Sequence, residues 1–190
     1  TRDDVIDFYQ NSFFNNTKVI VTGKVDDDIL DLIEGSFEKF PTNHLPPQTG
    51  VIEPLSTNQV ITRQESMQSA VRLGNLTINK HHQDIHKLHI TTSLLGGYFG
   101  SRLMKNIRED KGYTYGIGAS IAHLQDASFM VISTDVVKEY TRNTVAEIRK
   151  EINRLKTEAV DSSELETLKS YLSGKFLSGI DTAFNIAGKF

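Results

Sequence analysis

The stretch Leu94–Ser120, LLGGYFGSRLMKNIREDKGYTYGIGAS, constrains the fold most, because its hydrophobic period changes partway through. Gly96, Gly97 and Gly100 break one helical pattern. Ser101 is placed to cap the next helix, since a serine hydroxyl accepts from the orphan N–H groups of a first turn. Leu103, Met104 and Ile107 repeat at helical spacing. Gly112 stops that helix, being tolerant of positive φ. From Tyr113 the period becomes two. Tyr113, Tyr115, Ile117, Ala119 and Ile121 fall on one face of a predicted strand, and Thr114, Gly116, Gly118 and Ser120 on the other.

Two polar groups flank the Gly112 turn. Arg108 lies on the last turn of the short helix, and Tyr115 lies near the start of the strand. The bend lets both point to one side. A permanently charged guanidinium beside a neutral phenol is a fixed pair of donors. Such a pair suits a carbonyl oxygen that becomes an oxyanion. Residue types and spacing equally allow Arg108 to complement a helix C-terminus and Tyr115 to pack in a core.

The rest of the chain supplies cover and support. Thr1-x-x-Asp4 is a capping pattern for a helix with Val5, Phe8 and Tyr9 on one face. The β-branched run Lys18–Val25 reads as a central strand. Asp26–Asp28 open a helix carrying Ile29, Leu30, Ile33, Phe37 and Phe40. The turn at Gly23 is acidic and lacks the glycine pattern of a phosphate loop. Residues 41–57, with Pro46, Pro47 and Pro54, read as a connector. Asn58–Glu65 and Ser69–Ile78 alternate as neighbouring strands. A helix from Asp84 buries Ile85, Leu88, Thr92 and Leu95, and Ala127–Val136 completes a hairpin through Gln125-Asp126. Helices follow over Tyr140–Leu155, with Arg149, Lys150 and Glu151 outward, and from Asp161 or Ser163 to Gly179 along Leu165, Leu168, Leu172 and Phe176.

This order predicts an α+β fold: a two-layer sandwich, its mostly antiparallel sheet carrying helices on one face. Residues 1–190 are expected to be a single domain, a fragment or processed piece of a longer protein. The net charge is −3 with no basic stripe, so nucleic acid is not an expected partner. Cysteine is absent, which excludes disulfides and thiolate metal sites. No apolar run approaches the ~18 residues of a membrane span.

Four of the six histidines lie in Asn79–His89. On a helix His82, His86 and His89 would share a face, which is metal-ligand spacing. An inverted zinc-peptidase motif, H-x-x-E-H, requires Glu where this chain has Ile85. The cluster therefore lacks a general base, and no metal site is assigned to this chain.

The stretch LLGGYFGSRLMKNIREDKGYTYGIGAS closely resembles the second, C-terminal-type domain of the pitrilysin/insulinase family of zinc metallopeptidases, which includes the mitochondrial processing peptidases. TRDDVIDFYQNSFFNNTKVIVTGKVDDDILDLIEGSF resembles that domain's opening helix, strand and helix, and DSSELETLKSYLSGKF its closing helix. The resemblance implies a substrate-binding, transition-state-assisting half of a zinc endopeptidase acting on peptides. Zinc would come from a homologous domain or partner chain, and Arg108 and Tyr115 would be the catalytic pair. Gly97, Tyr98, Gly100 and Ser101 would border the substrate, although turn chemistry alone makes their loop a helix–helix turn. Inactive relatives that serve as scaffolds supply the alternative, a non-catalytic structural or interaction subunit. The compartment is open, with the bacterial periplasm slightly ahead of cytoplasm or mitochondrial matrix.

Overall fold

Three antiparallel strands carry the site: β1 (Gln68–Thr77), β2 (Thr114–His123) and β3 (Ser128–Val137), in the order β1-β3-β2. The structure is a computed structural model and describes residues 1–40 and 57–189. The predicted connector lies outside the described residues except for Thr57. The helices are α1 (Arg2–Asn11), α2 (Asp27–Phe37), α3 (Ile85–Thr92), α4 (Thr141–Thr157), α5 (Ser162–Ser178) and α6 (Ala183–Ala187), so the fold is α+β. The chain divides into two compact units, Thr1–Gln48 with Lys169–Phe190, and Thr49–Leu168.

In the first unit Thr1 and Asp4 close the predicted capping box on α1, and the Asp26 carboxylate accepts from Ile29 N at the start of α2. Rings of Tyr9, Phe13, Phe14, Phe37 and Phe40 pack together, with Phe14 stacked on Phe40. The run Lys18–Val25 is not the strand its β-branched residues predicted. Val19, Ile20 and Val21 are exposed. β-propensity describes fit to a pleated surface, and a strand exists only where a neighbour takes its N–H and C=O groups. The described elements of this unit are helices, which offer no such edge.

In the second unit the register puts Leu73 and Ala119 on either side of Ile132, and Val71 and Ile117 on either side of Thr134. One sheet face thus collects the apolar residues. Ile117, Ala119 and Ile132 bury against Leu95, Leu103, Met104, Ile107 and Ile148 from the helical layer. Asn58–Glu65 is not a strand, and β1 pairs with β3 instead. The apolar residues of that segment, Val60 and Ile61, are adjacent and so point to opposite sides, leaving no apolar face to bury.

Helix α4 buries Thr144 and Ile148 as its period predicted, but Glu151 is buried too and not outward. Its carboxylate accepts from Asn106 Nδ2 at 2.6 Å and from Arg154 Nη1 at 3.1 Å. A carboxylate enters a core only with such donors around it.

Candidate functional site

Helix α3 continues into a π-helical turn, Ser93–Gly97, where Gly96 leaves helical geometry at φ −158°. A Cβ on Gly96 would stand 2.6 Å from Ala119 N, so only glycine lets this turn close onto the backbone of β2. Tyr98 follows in extended conformation, and its carbonyl accepts from Ser101 N at 3.1 Å. The Tyr98 phenol is pushed up by burial first and by Glu164 second. A Cβ on Gly100 would meet the Tyr98 ring at 2.9 Å.

Ser101 does not act as the predicted side-chain cap. It is fully buried, and its Oγ has no hydrogen-bond partner. Its carbonyl instead accepts from Lys105 N, which starts the next helical segment. Read as bordering the substrate, Ser101 has no exposed surface to offer. Gly97, Tyr98 and Gly100 are half-buried on the same loop.

That segment becomes a π-helix over Met104–Asp110. It closes wide: Gly112 N donates to the Arg108 carbonyl and Tyr113 N reaches back to that of Ile107. Gly112 takes φ +66°, the left-handed conformation predicted for the stop. The chain then enters β2 through a bulge. Thr114 pairs with Val136 and Ile117 with Thr134, so one extra residue must be accommodated between them. The Thr114 hydroxyl accepts from Gly116 N and lies 2.7 Å from the Asp135 carbonyl, and Thr134 Oγ1 lies 2.9 Å from Thr114 Oγ1. The two threonines pin the bulge.

The bulge decides where Tyr115 goes. Strict alternation would put its side chain on the face of Ile117 and Ala119, which are buried. Tyr115 is instead 93% exposed. The core alternative for this residue is thereby ruled out.

Arg108 is brought to the same place. Its Nε donates to the Tyr115 carbonyl at 2.9 Å, and its guanidinium carbon lies 4.6 Å from the centre of the Phe99 ring. Its side chain is 34% exposed, and a Glu109 carboxylate oxygen stands 3.9 Å from Nη1. The structure therefore joins Arg108 to Tyr115 through a backbone carbonyl, leaving the phenol outward. Sequence reasoning passed over Phe99, Thr114 and Thr134. Gly116 inside a strand was the available signal for the bulge. Phe99 had no signal beyond its type.

The predicted histidine face is divided. His82 precedes α3 and its Nδ1 accepts from Asp84 N, while His86 and His89 lie on the helix. His89 Nε2 meets His123 Nε2 at 2.9 Å, and His123 Nδ1 meets Ser128 Oγ at 2.7 Å. Among the described residues no three His, Cys, Asp or Glu side chains are placed to hold a metal ion together.

A family model described as peptidase M16 inactive domain matches residues 1–172. Among curated relatives, the uncharacterized zinc protease YmxG of Bacillus subtilis is 23% identical over 92% of this chain and 43% of its own length. The probable inactive metalloprotease YmfF of the same organism is 25% identical over 71% of this chain and 32% of its own. The chain thus spans less than half the length of either. A crystal structure of a peptidase M16 inactive domain from Pseudomonas fluorescens is 26% identical with a TM-score of 0.59, covering 65% of this chain and 30% of that one. A protease from Helicobacter pylori shares the fold at 20% identity and a TM-score of 0.65, over 87% and 42% of the two chains. The family match extends over residues 1–172 of the 190, and the chain belongs to the peptidase M16 family, as its inactive domain.

Proposed function

We propose that this chain is the substrate-holding, transition-state-assisting half of a zinc-dependent endopeptidase. The zinc and the water-activating groups belong, in this reading, to a homologous domain or partner chain. What carries the reading is one observation: Arg108 is anchored across the Gly112 bend to the backbone carbonyl of Tyr115, a residue exposed at the protein surface. With Nε engaged, the two Nη groups remain as donors. Together with the Tyr115 hydroxyl they are suited to the oxygen of a peptide carbonyl as it gains negative charge. Half-buried Gly97, Tyr98 and Gly100 form the adjoining loop and are proposed to border the peptide.

The test is kinetic, in the assembled enzyme. Arg108→Ala and Tyr115→Phe are each expected to lower kcat by about 10²–10³, with the far-UV spectrum unchanged. Turnover unchanged in both variants would remove the assisting role and leave a structural or interaction subunit, the reading that fits a relative described as a probable inactive metalloprotease.

A further inference from the structure

We propose that Phe99 is a positioning residue for Arg108, holding the guanidinium in one orientation before a substrate arrives. This rests on the assisting role given to Arg108 above and specifies how it is prepared. An arginine side chain on a surface samples many rotamers, and its donors are useful only where they are fixed. Here two contacts fix it. The Nε–H is held by the Tyr115 carbonyl at 2.9 Å, and the guanidinium carbon lies over the Phe99 ring at 4.6 Å from its centre. The hydrogen bond alone leaves rotation about its own axis. The ring removes that freedom, because a planar cation over an aromatic face has a preferred approach.

The setting of Phe99 supports this role. It is 63% exposed, so its ring contributes little to the core. It sits between Tyr98, whose extended backbone closes the turn onto Ser101, and Gly100, where a side chain would collide with the Tyr98 ring. That loop is anchored in turn by Gly96 against β2, the strand that carries the Tyr115 carbonyl. Both contacts of Arg108 are therefore mounted on one rigid corner. Nη1 stands 3.9 Å from the Glu109 carboxylate, too far for a hydrogen bond, so the ring constrains the cation without occupying its outer donors.

The experiment has a spectroscopic and a kinetic arm. In the 190-residue chain, the Arg108 side-chain Nε–H signal is expected to be shifted upfield by the Phe99 ring and to exchange slowly. Phe99→Leu should abolish the shift and speed exchange, and Phe99→Tyr should restore both. An Arg108 signal at its free position in the parent chain, or one that Phe99→Leu does not move, overturns the proposal. In the assembled enzyme, Phe99→Leu should lower kcat about three- to five-fold with little change in KM, as expected for losing an exposed cation–π contact. The loss should vanish in an Arg108→Ala background. A loss that persists there means Phe99 acts independently of Arg108 and overturns the positioning role. If Arg108→Ala itself leaves turnover unchanged, the assisting function fails, whereas the spectroscopic arm still decides the Phe99 contact.

Discussion

At the residue scale the most consequential contact outside the site is Arg102–Glu164. Arg102 is 8% exposed and makes a two-point fork to the Glu164 carboxylate at 2.9 and 2.8 Å. It fixes the short helical segment bearing Arg108 to the first turn of α5, whose start is capped by Asp161. The fork holds the Glu164 carboxyl below its ordinary range against the opposing effect of burial. A carboxylate lowered in the folded state contributes stability that is complete above its unfolded pKa, and that contribution is lost as pH falls through the depressed folded value. Glu164→Ala leaves a buried guanidinium without its partner and should cost about 3–5 kcal/mol, while an Arg102→Met, Glu164→Leu double variant should recover most of it. Denaturant titration at neutral pH measures both. A single variant as stable as the parent would show that the fork carries no weight in the fold. Residue type alone misled at Glu151, which reads as an outward charge on α4. Asn106, remote from the helix in sequence, supplies a donor that brings it inside, alongside Arg154 one turn further along α4.

At the element scale, legibility followed from whether an element makes its own pattern. The β2–β3 hairpin was readable because its period of two and its short connection are both local, and the Gly112 stop because positive φ is a property of one residue. Lys18–Val25 and Asn58–Glu65 were misread because a strand needs a partner edge, which no local pattern encodes. Tyr115 was placed on the wrong face because a bulge shifts the alternation after Thr114.

The link between α3 and the end of β2 was also invisible, since His89 and His123 lie 34 residues apart. Their shared hydrogen bond needs at least one neutral ring, and burial, then His123 and His86, lower the His89 pKa from its ordinary 6.5. A histidine lowered in the folded state stabilises fully above the unfolded value. Its contribution declines as pH drops through 6.5 to the folded pKa, because the unfolded chain takes up the proton first. Unfolding midpoints measured from pH 7.5 to 5 should therefore fall more steeply for the parent chain than for His89→Gln. Parallel profiles would dissociate this pair from acid sensitivity.

At the scale of the whole molecule, the chain spans 43% and 32% of the lengths of the two curated relatives, and no metal-ligand group forms among its described residues. Catalytic zinc needs three protein ligands and an open position for water. In this chain His89 and His123 engage each other and Ser128, Glu151 is engaged by Asn106 and Arg154, and Glu164 by Arg102. What stands open at the surface is a pair of donors, Arg108 and Tyr115, with the Glu109 carboxylate 3.9 Å from Arg108 Nη1. Donors of that kind act only on charge that another group creates. The division of labour then makes a sharp prediction. The purified chain should bind no stoichiometric zinc and hydrolyse no peptide. Combined with the zinc-bearing half proposed for it, it should hydrolyse peptide, and a chelator should stop the reaction. Arg108→Ala in that assembly should lose turnover while retaining full zinc content, because its proposed contribution is to the oxyanion and not to the metal. Zinc bound one-to-one and tightly by this chain alone would relocate the chemistry to this half. A parallel loss of zinc and turnover in Arg108→Ala would show that the arginine maintains the assembly and does not assist the reaction.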